Sequence, residues 1–123
     1  MTKEQMHAFA VDWVSAWNRR DIAAVLRHFA DDAKFLSPRA REVTGQPLVV
    51  GKPALEEYWR RALARIGTMV FRLDHVVADP ARREIVVVYD RLLDGKSIRA
   101  CEIMRFDETG RQVWGEALYG AAV

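Results

Sequence analysis

Apolar residues recur at helical spacing through the first half of the chain and alternate along the second. In "EQMHAFAVDWVSAWNRR" (4–20), Met6, Phe9, Trp13 and Trp17 share one helical stripe, widened by Ala10, Val14 and Ala16. Asn18, Arg19 and Arg20 end that helix. Asp21 suits the N-cap of a second helix, "IAAVLRHFA" (22–30), whose apolar face is Ile22, Val25, Leu26 and Phe29. "DDAKFLSP" (31–38) follows as a short strand stopped by Pro38. Residues 38–51 hold Pro38, Gly45, Pro47 and Gly51 with no clean period, and predict a loop with room for a short strand. A third helix fits 51–67, with Pro53 in its first turn and Gly67 at its exit; Leu55, Tyr58, Trp59, Ala62 and Ile66 form its inner face.

Strands are predicted over 69–78, 84–93, 96–106 and 111–120, separated by the turn sequences "DPARR", "DG" and "DETG". Helices followed by an antiparallel meander define an α+β domain spanning 1–123, with helices on one sheet face. The two-residue Asp94–Gly95 turn sets a register that pairs Val87 with Glu102, Tyr89 with Ala100 and Asp90 with Arg99. A four-residue "DETG" loop would then set Met104 opposite Val113, Glu102 opposite Gly115 and Ala100 opposite Ala117. One face collects Ile85, Val87, Tyr89, Arg91, Ile98, Ala100, Glu102 and Met104 for the core. The other mixes Val86, Val88, Ile103, Trp114 and Leu118 with Asp90, Arg99, Arg105 and Glu116. Left in water, that second face would be a broad apolar patch, so it is expected to be a homodimer interface whose ion pairs set the register.

Glu102 is the anomaly on the inward face. A lone carboxylate on an apolar wall is costly and tends to keep its proton. Small neighbours (Ala100, Gly115, Ala117) leave room for a cavity around it. The alternative is a satisfied core ion pair with Arg91, on the same face of the adjacent strand.

Composition narrows the classes. The net charge is +2, and the arginine pairs Arg19–Arg20, Arg60–Arg61 and Arg82–Arg83 lie on unrelated segments, which is no nucleic-acid footprint. Cys101 is the single cysteine, so no intrachain disulfide forms. The charged N-terminal pattern is not a signal peptide, and no apolar run approaches the roughly 20 residues of a membrane span. A cytoplasmic protein is expected. His7 and His28 have no partners at ligand spacing, so no metal or other cofactor is expected. No glycine-rich phosphate loop or Gly-x-Ser-x-Gly elbow occurs.

The sequence resembles the nuclear-transport-factor-2-like superfamily, and within it the SnoaL-like and ketosteroid-isomerase-like branch. The likeness runs through "WVSAWNRRDIAAVLRHFADDAKFLSP", "GKPALEEYW" and a meander ending "EALYG". It rests most specifically on the Trp-Asn-x-x-Asp step, on "FADDAKF" and on Gly-x-x-Ala-Leu-x-x-Tyr-Trp. The resemblance implies a cone-shaped, cystatin-like fold, in which a strongly curved, mostly antiparallel sheet wraps three N-terminal helices around a hydrophobic pocket. It also implies dimers through the outer sheet face. Ketosteroid isomerases use a carboxylate base plus an oxyanion hole of a tyrosine and a protonated acid. Those positions fall here on Ser37, Trp13 and Glu102. Ser37 cannot abstract a carbon-bound proton unaided, whereas Trp13 retains one donor, its indole N–H. The epoxide-hydrolase branch needs an Asp–Arg–Asp arrangement, but two of its positions fall on Ile85 and Val87.

The expected function is binding of a compact, mainly apolar molecule with a carbonyl or hydroxyl, gripped by Glu102 and Trp13. Trp17, Phe35, Ser37, Trp59, Val87, Tyr89, Met104 and Tyr119 are expected around the ligand. Asp74 and His75 are adjacent on a strand, so one of them should face the pocket and could replace the missing base. Isomerase, cyclase or dehydratase chemistry by proton transfer beside a carbonyl is then expected. The alternative is a non-catalytic binding or dimerisation module of the same fold.

Overall fold

The computed structural model describes residues 1–123 as four helices packed on a curved, six-stranded mixed sheet. Helix α1 (Lys3–Asn18) opens on a capping box: the Gln5 backbone N–H donates to Thr2 Oγ1 (3.1 Å), and the Thr2 N–H to Gln5 Oε1 (2.8 Å). Its far end is tied to the sheet through Asn18, whose amide accepts from the Phe71 N–H (2.7 Å) and donates to the Phe71 carbonyl (2.9 Å). Arg20 adopts a left-handed backbone (φ 56°) that reverses the chain. Its guanidinium donates to the carbonyls of Gly67 (2.6 Å) and Ile66 (3.2 Å). Asp21 then caps α2 (Ile22–Leu26), accepting from the Ala24 N–H.

Helix α2 is shorter than the predicted 22–30, because Phe29 begins strand β1 (Phe29–Leu36), opposite Gln112. The predicted 38–51 loop holds a fourth helix, α3 (Pro38–Thr44), and the short strand β2 (Leu48–Val50). Ser37 caps α3, Pro38 presets its first turn, and Gly45 (φ 88°) closes it in the left-handed region. The expectation of three helices was one short. Helix α4 (Lys52–Ala64) is followed by β3 (Met69–Asp79), β4 (Glu84–Leu93), β5 (Lys96–Phe106) and β6 (Gln112–Ala122).

The strand order is β2-β1-β6-β5-β4-β3, antiparallel throughout except for the parallel β1–β6 pair. The Asp94–Gly95 turn gives β4–β5 the predicted register, with Val87 opposite Glu102 and Tyr89 opposite Ala100. Between β5 and β6 the register is two residues further along: Met104 faces Gly115, Glu102 faces Ala117, and Ala100 faces Tyr119. Asp107 holds a longer turn, accepting at one oxygen from the N–H groups of Thr109 and Arg111, and a bulge beside Phe106 absorbs one more residue. An even shift preserves the faces, so Gly115, Ala117 and Tyr119 stay inward as expected. Val113 does not, and fully buried Gln112 takes its place opposite Phe106. One apolar core runs from Met6 and Trp13 through Phe29 and Trp59 to Ile85 and Met104.

Candidate functional site

A cavity opens between the inner sheet face and helices α1 and α4. Trp13 and Trp17 enter from α1, Tyr58 and Trp59 from α4, and Phe71, Tyr89 and Tyr119 from the sheet. The helical stripe that buries α1 and the strand alternation that buries β4 thus converge on one space. The aromatic rings brace one another: Trp13 meets Tyr89 edge-on (5.4 Å between centroids), Trp17 meets Trp59 (5.2 Å), and Phe71 lies 4.8 Å from Tyr89. Fourteen of the seventeen lining residues are hydrophobic; the charged ones are Glu102, Arg91 and Arg39. The cavity volume is about 70 Å³, which limits it to a compact occupant.

Glu102 comes from the middle of β5, between Val87 and Ala117, and is only 6% exposed. Burial raises its carboxyl from the usual 4.5 to about 8, and no cation or hydrogen-bond donor holds it down. At neutral pH it is a protonated acid, able to donate one hydrogen bond. The expected alternative, an ion pair with Arg91, does not form. Arg91 instead lies flat over Tyr119, its guanidinium carbon 4.0 Å from the ring centroid, and its Nε is buried without an acceptor. Arg39 also lines the cavity with a buried, unpartnered Nε; one of its terminal nitrogens lies 3.7 Å from Glu42. Burial drives the phenols of Tyr58 and Tyr89 upward, and the neighbouring Tyr119 and Glu102 add to this. They remain neutral donors across the physiological range.

Of the residues expected at the site, Glu102, Trp13, Trp17, Phe35, Trp59, Tyr89 and Tyr119 line the cavity. Val87 and Met104 are fully buried in the core rather than in the lining. Ser37 is buried too, but its hydroxyl accepts from the Arg39 N–H (3.2 Å) as the α3 cap.

Asp74 and His75 correct an expectation, because neither faces the cavity. β3 bulges between Leu73 and His75, so Leu73 and Val76 both point inward while the two polar residues stay outside. There Asp74 pairs with Arg99, which also bonds Asp90 (3.0 Å), and the His75 ring lies 3.2 Å from Asp74. The sequence carried the signal, since two adjacent polar residues interrupt the alternation Met69, Phe71, Leu73. Arg39 was missed outright, because α3 is too short to show a period. Phe71 and Tyr58 were legible as inward residues but were not singled out.

The model of the SnoaL-like domain matches residues 10–114, and the chain belongs to this family. Among solved structures it is similar to a SnoaL-like protein of unknown function from Burkholderia thailandensis (28% identity, TM-score 0.85, covering 98% of this chain and 99% of that one). It is also similar to a protein of unknown function with a cystatin-like fold from Methylobium petroleophilum (20%, TM-score 0.80, 98% and 79%). A third similar structure is the epoxide hydrolase/cyclase-like enzyme SalBIII (17%, TM-score 0.75, 98% and 95%). At these last two identities the likeness is one of fold. No curated protein matches. No helix is long and apolar enough to cross a membrane.

Proposed function

We propose that this protein binds a compact, single-ring ligand carrying a carbonyl or hydroxyl, with the protonated carboxyl of Glu102 donating a hydrogen bond to that oxygen. The observation that carries this reading is Glu102 itself: a buried carboxyl facing an apolar cavity with no partner in the protein. An inward carboxyl without a partner is costly for a fold that has no use for it. The small cavity supports one ring rather than a steroid-sized skeleton, since pockets for drug-sized ligands occupy roughly 300–1,000 Å³.

Binding without a dedicated catalytic base is favoured over the isomerase mechanism. Ser37 is engaged as a helix cap, and Asp74 and His75 lie on the outer face. If turnover occurs, Glu102 moves the proton itself, because burial brings its carboxyl to about 8. SalBIII, an epoxide hydrolase/cyclase-like enzyme, acts in pyran ring formation, but the epoxide-hydrolase constellation has no counterpart here: Ile85 and Val87 are fully buried core residues.

A thermal-shift screen against single-ring ketones, phenols and their relatives tests the proposal. A ligand at about 100 times its dissociation constant adds roughly 2.7 kcal/mol. Glu102→Gln, still a neutral donor, should keep a hit that Glu102→Ala loses. No hit, together with a Glu102→Gln variant less stable than wild type, would make Glu102 a structural group.

The outer sheet face supports a homodimer. Val77 and Leu118 are 55% and 43% exposed there, beside half-buried Val88 and Trp114. The Asp74–Arg99–Asp90 cluster lies on the same face. A chain that sediments as a monomer at micromolar concentration would remove this part of the proposal.

A further inference from the structure

We propose that the ligand carries a carboxylate, bound by Arg91 at the end of the cavity away from Glu102. This rests on the ligand-binding reading above and names the class of molecule.

Arg91 follows Tyr89 by two positions on β4, so both share the inward face. Val87, the residue opposite Glu102, lies four positions back, or roughly 13 Å along the strand. The polar groups of the sheet wall therefore form a line, from Glu102 past Tyr89 and Tyr119 to Arg91. A ligand lying along that line has an uncharged donor on the side of Glu102 and a guanidinium on the side of Arg91.

Arg91 has no partner within the protein. Its Nε is buried without an acceptor, and Glu102 feels no cation. Arg91 is half-buried, and a buried polar atom such as its Nε is nearly always paired. Tyr119 covers one face of the guanidinium plane at 4.0 Å. Stacking fixes that plane and leaves its N–H edge for a coplanar acceptor, which a carboxylate matches with two parallel hydrogen bonds. Arg39 brings a second guanidinium to the same lining, again with its Nε unpartnered. Glu42 offsets Arg39 at 3.7 Å and Glu102 is neutral, so Arg91, without a counter-ion, leaves the site net positive, which favours an anionic guest. The apolar lining and small volume favour a singly charged, planar anion over a phosphate.

Matched acid and amide pairs on one ring test this: benzoate with benzamide, 4-hydroxybenzoate with 4-hydroxybenzamide, and cyclohexanecarboxylate with its amide. Each is titrated calorimetrically into wild type, Arg91→Met and Arg91→Lys at physiological salt. At least one acid should bind wild type about tenfold or more tightly than its amide, the size of one charge-assisted hydrogen bond. Arg91→Met should abolish that preference while still binding the amide, and Arg91→Lys should keep part of it. Unliganded Arg91→Met should melt close to wild type, because only the stacking on Tyr119 and no internal ion pair is lost. Amides that bind as tightly as acids would overturn the carboxylate inference and leave the ligand-binding reading standing. A strongly destabilised Arg91→Met would make Arg91 a structural residue and overturn it as well. If no ring compound of either kind bound, both readings would fall.

Discussion

Gly115 lies directly beneath the ring of Phe35, its partner across the parallel β1–β6 pair. A Cβ built on Gly115 would come within 2.8 Å of Phe35 Cδ1 and 3.2 Å of Gln112 Nε2. The glycine is therefore set by the ring that crosses it, not by backbone strain. Phe35 in turn packs 5.7 Å from Trp59, so the contact props up one wall of the cavity.

Gly115→Ala should destabilise the fold by about 1–3 kcal/mol, the usual cost of forcing a methyl into a packed site. Urea unfolding checks this. An unchanged midpoint would mean that the ring swings aside freely.

Stability should fall as pH rises because of Glu102. Its carboxyl titrates near 4.5 when the chain is unfolded and at about 8 when folded. Between those values the folded state holds the extra proton, so ionisation costs up to about 1.4 kcal/mol of stability per pH unit. Below that window there is no penalty, and above it the penalty is complete. Glu102→Gln should match wild type near pH 4.5 and exceed it at pH 8, as read from unfolding curves at the two values. Equal stability at both would show that the acid is not held neutral.

Asp74→Asn should leave affinity for any cavity ligand within about twofold of wild type, because its site faces away from the cavity and the two regions share no partner. The change should instead lower the melting point slightly, and less so at high salt, since Arg99 and then His75 hold the Asp74 carboxyl below its usual range. A large loss of ligand affinity would restore Asp74 as a site residue.

Ser37→Ala should cost about 1 kcal/mol as a lost N-cap. It should also weaken carboxylate binding, because α3 carries Arg39 to the cavity. Calorimetry on the folded variant separates the two effects. Unchanged binding would mean that Arg39 keeps its place without the cap.

Glu102 could be placed from sequence because two strong local rules meet there: strand alternation and the Asp94–Gly95 turn. The turn fixes the register of β4 and β5 independently of everything else. The β5–β6 turn had no such fixed length. Its geometry depends on Asp107 bonding its own neighbours, so pairings came out two residues off although the faces held. Helix α3 escaped for a different reason: Ala40 and Val43 are its only buried residues, too few to establish a period. The stacking of Arg91 on Tyr119 is a tertiary fact, with no trace in local spacing.

Arg20, the residue that turns the chain after α1, has a consequence for how fast a guest can come and go. It grips the carbonyls of Ile66 and Gly67, at the exit of α4, and Ile66 is part of the cavity lining. That part of the lining is thereby fixed to the elbow between the first two helices. Residence time, more than equilibrium occupancy, is what a change that releases Arg20 would tune.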